Sequence, residues 1–522
     1  MTPKPDEGAF WTEPKAAFTD RAKVVVVGSG AGGAMAAVTL AEGGLDVVVV
    51  EEGFRHGASD FGAALHESVV ELYQAAGSRI TADSPATPIV GGKALGGSTV
   101  VNSAICFRTP EYVVDEWNGR SGGAYGDPAA YFAMQDQVEW VLGVAPTPDI
   151  LLSGYDRAQK AAAQALGWKE SNFRRNTPAC AGCGRCNVGC PVGGKASVDR
   201  VLLPRVATTG ARIHTGCRVD RVADGHVEGD VVGRDGAVLG RFEVQADVVI
   251  VAGGAISTPA LLLASELAPS GGEVGAGLHV HPILSALGML PGDPVTSSGS
   301  TQGHAVHEFE DDELLLEANP IIAGAVWQSL PLHGAEGKAI LARADRIAST
   351  GCMIRDREAR GRVSFKRGKP HISYVPTEED RRRLVGALHR GAQLWFEGGG
   401  AEWVGLTLYG MPLLRSMDDV RRLVPEDFPA ARMILYSSHP QASCSLGRAL
   451  SVDGLVPGTT GVYCMDASVL PDAVGRNPQI SVMTTARMLA SRLTQALGGA
   501  VRPLAKPPST GLPVVEDAAP SD

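Results

Sequence analysis

Residues Lys23–Gly53 read KVVVVGSGAGGAMAAVTLAEGGLDVVVVEEG, and this stretch decides the fold. Lys23–Val27 is a β-branched run with the composition of a strand buried on both faces. Gly28-Ser29-Gly30-Ala31-Gly32-Gly33 then fits G-x-G-x-x-G, an apolar helical segment follows, and Asp46–Val50 supplies a second buried strand ending in Glu51. This order suits a nucleotide. One glycine makes the tight turn, the next admits a pyrophosphate to the backbone, the third packs helix on strand, and the acid meets a ribose hydroxyl. Glu51 lies 51 − 33 = 18 residues beyond Gly33, close to the required spacing. Gly28, Gly30, Ala31, Gly33 and Glu51 are therefore the first candidate cofactor residues. The motif alone does not choose between FAD and NAD.

The 522 residues exceed one ordinary core, so two or three domains are expected. Hydrophobic residues at 44% and charged residues at 20% describe a globular protein. A net charge of −10 with no basic stripe gives no general attraction to nucleic acid or anionic membrane. The first residues, MTPKPDEGAFWTEPKAAFTDRAK, carry charges where a signal peptide needs an apolar core, so a cytoplasmic, reducing location is expected. The longest uncharged run, Val248–Ser265, is broken by Gly253-Gly254 and Thr258-Pro259, and reads as a buried strand and helix with no membrane span.

Further along, Ala58–Gly77 has helical periodicity. Ser84–Val90 leads into Gly91-Gly92-Lys93-Ala94-Leu95-Gly96-Gly97-Ser98-Thr99-Val100-Val101-Asn102, whose glycines free backbone amides to approach a ligand. The G-x-G-x-x-G opening with Glu51, this second glycine segment, and Arg108 and Trp117 beyond it resemble the glucose-methanol-choline (GMC) family of FAD oxidoreductases. Four later stretches agree. Gly210–Val219 resembles the strand that meets the adenine, Ala246–Pro259 the second family signature, Val274–Pro282 the "GxxLxxHP" turn, and Cys464–Gln479 the C-terminal flavin segment. The resemblance implies FAD as cofactor, with Gly96, Gly97, Ser98, Asn102, Val219, Asp466 and Pro478 among its contacts. Some members tether the flavin through a histidine where this chain has Val101, so non-covalent FAD is implied.

The implied architecture is α/β: a discontinuous, Rossmann-like FAD-binding domain (21–110, 200–285 and 439–500) and an α+β substrate domain on an antiparallel sheet (286–438). An N-terminal arm (1–20), a connecting region (111–199) and a disordered Pro/Ala/Ser/Asp-rich tail (503–522) complete it. Alternation in Gly361–Lys366 and His371–Tyr374 predicts strands with one solvated face, and Glu378–Phe396 predicts a charged helix.

Cys180, Cys183, Cys186 and Cys190, followed by Pro191, have the C-x2-C-x2-C-x3-C-P spacing of bacterial ferredoxins. In two-cluster ferredoxins the fourth cysteine serves the other cluster, and no second run is present. Four cysteines on one 4Fe-4S or 3Fe-4S cluster, or three with Cys106 or Cys217, satisfy the pattern, and tetrahedral zinc or two disulfides are the alternatives. Gly182–Lys195 also resembles the Cys-rich stretch of family members similar to long-chain alcohol oxidases and dehydrogenases.

Flavin oxidation of an alcohol needs a base, and histidine suits it because its pKa lies near the operating pH. The resemblance places that base at His439, in SHPQASCSLG, with Asn477 as partner 477 − 439 = 38 residues on. Ala442 stands where the commoner segment has glycine and Leu446 where it has methionine, which puts the local backbone path at issue. His279 and His281 are assigned to a structural turn. The implied activity is oxidation of a primary or secondary alcohol, lipophilic or polyol, to a carbonyl. Electrons would pass to an iron–sulfur cluster or an electron-acceptor protein. The alternatives are an oxygen-using oxidase and a flavin-dependent lyase on the same fold.

Overall fold

The computed structural model describes residues 10–504 except 63, 293, 296–297, 321–329, 331–333 and 359–360. The expected tail from 505 onward and the first nine residues of the expected arm lie outside the described residues. Strand β1 (Phe18–Val27) and strand β2 (Val47–Glu51) run parallel in the register Val24↔Val47 to Val27↔Val50. Helix α1 (Ala31–Glu42) crosses between them with Gly32–Ala41 buried. That burial explains its all-round apolar, small-residue composition.

β1 pairs on its other side with strand β3 (Val238–Val251), again parallel, with Val24↔Val248 and Val27↔Val251. Arg212–Thr215 adds to β2 and Val462–Cys464 to β3, both parallel, while the hairpin of Cys217–Ala223 and His226–Val232 lies antiparallel beyond β3. One seven-stranded sheet thus draws on three separated stretches of chain. Helix α2 (Gly254–Ala264) follows β3 as the uncharged run predicts.

The second sheet has six strands, all antiparallel. Strands β4 (Leu314–Asn319) and β5 (Ile347–Ile354) lie at its centre, flanked by Ile283–Met289 and Trp403–Leu406 on one side and His304–Val306 and Glu170–Asn172 on the other. Helix α3 (Glu378–Gln393) covers one face, burying Leu384, Val385 and Leu388, and starts at Thr377, whose hydroxyl accepts the Asp380 N–H. The α/β architecture, a Rossmann-like sheet with an antiparallel second sheet, is as expected, with three local differences. β1 begins at Phe18, inside the expected arm, and Glu170–Asn172 of the connecting region becomes a sheet edge. Gly361–Lys366 and Lys369–Ser373 do pair, but in a separate three-stranded sheet with Ala276–Leu278. A Cβ on Gly361 would lie 2.4 Å from the Leu278 carbonyl oxygen, so glycine lets that third strand close in.

Helix α4 (Gln479–Ala496) lies along α1, with Thr494 against Gly43. Among the described residues, no helix is long and apolar enough to cross a membrane.

Candidate active site

The turn after β1 is built for close approach. A Cβ on Gly33 would sit 2.0 Å from the Gly28 carbonyl oxygen, one on Gly32 2.2 Å from that of Met465, and one on Gly97 2.8 Å from the Gly30 Cα. The first turn therefore touches both the Gly96–Asn102 segment and the C-terminal segment. Helix α1 starts at Ala31 behind Gly30 with no side-chain cap and no acid in its first turn, which leaves its leading amides and positive dipole end for an anion. Ser29 joins the pieces: its N–H and hydroxyl donate to Glu51 Oε2 (2.9 and 2.7 Å), and its hydroxyl oxygen accepts the Gly96 N–H (2.9 Å). Gly53 N–H donates to Glu51 Oε1 at 2.8 Å. A carboxylate has about four acceptor sites, so one on Glu51 remains for a ribose hydroxyl. Burial pushes the Glu51 carboxyl up from its ordinary range.

The other expected cofactor residues fall into two groups. Gly96 and Gly97 hold positive φ at the Gly30 contact, Ser98 Oγ accepts the Gly92 N–H, and the Asn102 amide bonds Gln479, the neighbour of Pro478. Val219 lies in the strand that begins at Cys217, beside Glu51. Asp466 differs. Its carboxylate accepts from Gly254 N–H and Ser468 N–H (both 2.7 Å) and from the Thr258 hydroxyl, so the side chain staples α2 to the C-terminal segment, beside the Gly32 turn.

His439 and Asn477 come together. The Asn477 Nδ2 lies 3.3 Å from His439 Nε2, and an amide N–H can only donate, so Nε2 is the unprotonated ring nitrogen and its lone pair accepts from Asn477. Burial holds the His439 imidazole down to about 4, a neutral base at ordinary pH. Asn477 also bears on Glu317, a buried residue of β4 whose carboxyl burial pushes up to about 7 against the favourable effect of that amide. His439 Nδ1, Asn477 Oδ1 and Glu317 Oε1 are all buried with no protein partner. Three unsatisfied polar atoms around one point mark a place built for something else. Glu317 was not legible in the sequence. It is one acid in LLLEAN, and only strand pairing turns it toward residues 477 and 439.

Gln441 clamps the histidine from behind. Its amide donates to the His439 carbonyl (3.1 Å) and to His281 Nε2 (3.1 Å), and its Oε1 accepts the Val474 N–H (3.0 Å). The His281 ring packs edge-on against His439 at 5.5 Å, and His279 pairs with Asp472 at 2.9 Å and Asp356 at 3.5 Å. Both histidines thus sit in supporting contacts. Ala442 has φ +67, so the chain keeps a left-handed turn there without glycine.

The cysteine loop meets the expectation for it in part. Cys180, Cys183, Cys186 and Cys190 line one small cavity with Lys195 and Thr301. Among the described residues, however, no three His, Cys, Asp or Glu side chains are arranged as a metal-binding group, so the expected metal site is not formed. Local donors engage two of the sulfurs: Gly182 N–H reaches Cys180 Sγ (3.4 Å) and Arg175 Nη2 reaches Cys186 Sγ (3.2 Å). All nine cysteines are free, which removes the disulfide alternative. Cys106 and Cys217 lie elsewhere, the first at Asn176 and Gln479 and the second beside Glu51, so neither completes a ligand set.

The chain matches the GMC oxidoreductase family models over residues 69–283 and 357–486, and an FAD binding domain model over 23–87. An uncharacterised GMC-type oxidoreductase of Mycobacterium tuberculosis is 36% identical over 494 residues, covering 92% of this chain and 77% of that protein. A long-chain-alcohol oxidase of Arabidopsis thaliana is 28% identical over 516 residues, covering 91% and 68%. Among solved structures, pyridoxine 4-oxidase from Mesorbium loti superposes with a TM-score of 0.68 at 19% identity, over 91% of this chain and 99% of that one. These matches converge with the glycine turn and its acid, and the chain belongs to the GMC family of FAD oxidoreductases.

Proposed function

We propose that this chain oxidises an alcohol to a carbonyl, with His439 as base, Asn477 orienting the hydroxyl and Glu317 holding the Asn477 amide. The observation that carries this is the contact of His439 Nε2 with Asn477 at 3.3 Å, ringed by three buried atoms without partners. The residues named above fit FAD: a cradle where a Cβ would collide with backbone, an uncapped helix start and a spare acceptor on Glu51. Val101 stands at the tether position and forms no such bond, so the cofactor is held non-covalently. Bound there, FAD accepts hydride from the carbinol carbon. A substrate hydroxyl entering between His439 and Asn477 would replace their contact, accepting the Asn477 amide N–H and giving its proton to His439 Nε2 as the hydride leaves, so that carbon and base stay aligned. The strands contributed by 21–110, 200–285 and 439–500 form the FAD-binding domain in this reading, and 286–438 forms the substrate domain.

An external acceptor takes the electrons in this reading, and the four cysteines, which form no metal-binding group among the described residues, carry no step of it. A second reading, an oxygen-using oxidase, is supported by the likeness to a plant long-chain-alcohol oxidase and to pyridoxine 4-oxidase.

The test is anaerobic mixing of the flavin-loaded protein with primary aliphatic, secondary and polyol alcohols. Bleaching of the flavin is expected with at least one class. His439→Asn should keep the flavin and slow bleaching about 10²–10⁴-fold. An unchanged rate would remove His439 from the chemistry. Equal turnover with oxygen and with a dye acceptor would favour the oxidase.

A further inference from the structure

A reacting hydroxyl brings one proton to a site that needs more than one donor. In the proposed reaction that proton goes to His439 Nε2, and the hydroxyl oxygen takes the Asn477 N–H. Among the described residues, Glu317 Oε1 and Asn477 Oδ1 are buried acceptors without partners, and the reacting hydroxyl has nothing left to give them. Glu317 is 4% exposed, and an ionised carboxylate can only accept. Leaving such a group unpaired costs about 1–3 kcal/mol or more. A second donor on the substrate answers it.

The strand face around Glu317 fits that need. Register puts Leu315, Glu317 and Asn319 of β4 on one face with Met353, Gly351 and Ser349 of β5, and Ser285 lies opposite Gly351 on the next strand. Leu315 and Met353 close one end in an apolar cluster with Ile283, but the middle of the face is polar. The Asn319 amide donates to the Tyr436 hydroxyl oxygen (2.6 Å) and accepts from Gln302 (2.8 Å). A Cβ on Gly351 would lie 2.4 Å from Asn319 Nδ2 and 3.2 Å from the Tyr436 hydroxyl, so glycine leaves room for both. Glu317 and Tyr436 are close enough to feel each other's charge, and the Tyr436 hydroxyl has its own proton to donate. An aliphatic chain laid along this row would strand its polar groups. The positive charge of Arg476 already acts on Glu317, which suits a neutral donor better than an ammonium.

We propose that Glu317 and Tyr436 form a subsite for a second hydroxyl, one or two carbons from the carbinol being oxidised, so that the substrate is a short diol or polyol. The inference rests on the alcohol-oxidation reading above. The second hydroxyl is bound and not oxidised.

The experiment is anaerobic flavin bleaching of the flavin-loaded protein by ethylene glycol, propanol, methoxyethanol, ethanolamine and dodecanol, at alkaline pH where Glu317 is ionised. Ethylene glycol and propanol match in size, so the ratio of their second-order rate constants reads the second hydroxyl. That ratio should favour the glycol by about tenfold to a hundredfold, the range of a hydrogen bond to a charged group. Methoxyethanol, which offers an acceptor only, should behave as propanol does. Glu317→Leu should bring the ratio close to one, and Tyr436→Phe should lower it several-fold. Loss of Asn477 positioning slows both substrates alike and does not move the ratio. Equal rates for glycol and propanol, a ratio unchanged in both variants, or dodecanol preferred over glycol overturns the subsite and leaves the alcohol reading. Ethanolamine preferred over glycol overturns the assignment to a hydroxyl. Bleaching by none of the five removes the alcohol reading and the subsite with it.

Discussion

Glu317 is the residue whose charge bears most on the proposed reaction. In the pleat of β4 it faces Arg476 and Tyr436 as well as Asn477, with His439 behind the amide. Burial raises its carboxyl to about 7, and the nearby Asn477 amide works against that rise. The ionised acid attracts the amide more strongly than the neutral one, so proper orientation of Asn477 should improve as pH rises through about 7. His439 cannot produce that limb, because its imidazole is neutral from well below pH 6. We expect kcat/KM to rise with pH through about 7 in the wild type. Glu317→Gln should be flat over that range and lower at high pH by roughly tenfold, the loss of one charge-assisted hydrogen bond. A limb that survives in Glu317→Gln would assign it to another group.

At the scale of elements, the segment carrying the base shows how a departure from the family pattern is absorbed. Ala442 keeps φ +67 and is fully buried, its N–H bonded to the Ala467 carbonyl at 3.0 Å. A left-handed alanine costs about 1–2 kcal/mol. Glycine would remove that strain but lose about 0.8 kcal/mol of methyl burial and 0.5–1 kcal/mol of chain entropy, as rough figures. The terms nearly cancel, which explains why alanine holds the position. Ala442→Gly should therefore shift the urea midpoint little. Ala442→Val, β-branched at positive φ, should cost about 2 kcal/mol or more and slow flavin reduction by displacing His439. A valine variant as stable as the wild type would show that the turn relaxes. The cysteine loop is the opposite case. Its spacing was legible, but Gly182 N–H and Arg175 meet the sulfurs locally, and spacing does not encode those partners.

Across the whole molecule, one buried network ties the sheets together. His279, in the turn between the third and second sheets, pairs with Asp356 beyond β5 and Asp472 of the C-terminal segment, and Arg355 bonds Glu313 (2.9 Å) and the Ala473 carbonyl (2.7 Å). Burial opposes the His279 charge, but the two aspartates outweigh it and raise the imidazole to about 9. They in turn gain, so burial notwithstanding, the Asp356 carboxyl falls well below its ordinary range. A raised histidine stabilises the fold fully below about 6.5 and loses that contribution as pH climbs through about 9, on the order of 3 kcal/mol at most. The lowered aspartate contributes above about 4 and loses it on acidification. The thermal midpoint should fall between pH 6.5 and 9.5, and His279→Gln should flatten that slope. An unchanged slope would place the alkaline loss elsewhere.

Local order sufficed for the first unit. Lys23–Gly53 carries its strand, turn, helix and acid within one short stretch, and the covalent spacing alone forces Gly28–Gly33 and Glu51 into the geometry observed. The pairing of His439 with Asn477 was also legible, through motif position. Long-range pairing decided the rest. Which face of β4 Glu317 occupies, which sheet receives Gly361–Ser373, and that Arg175 and Lys195 meet behind Cys186 all depend on strand register and side-chain burial between distant segments, for which a linear string holds no local signal.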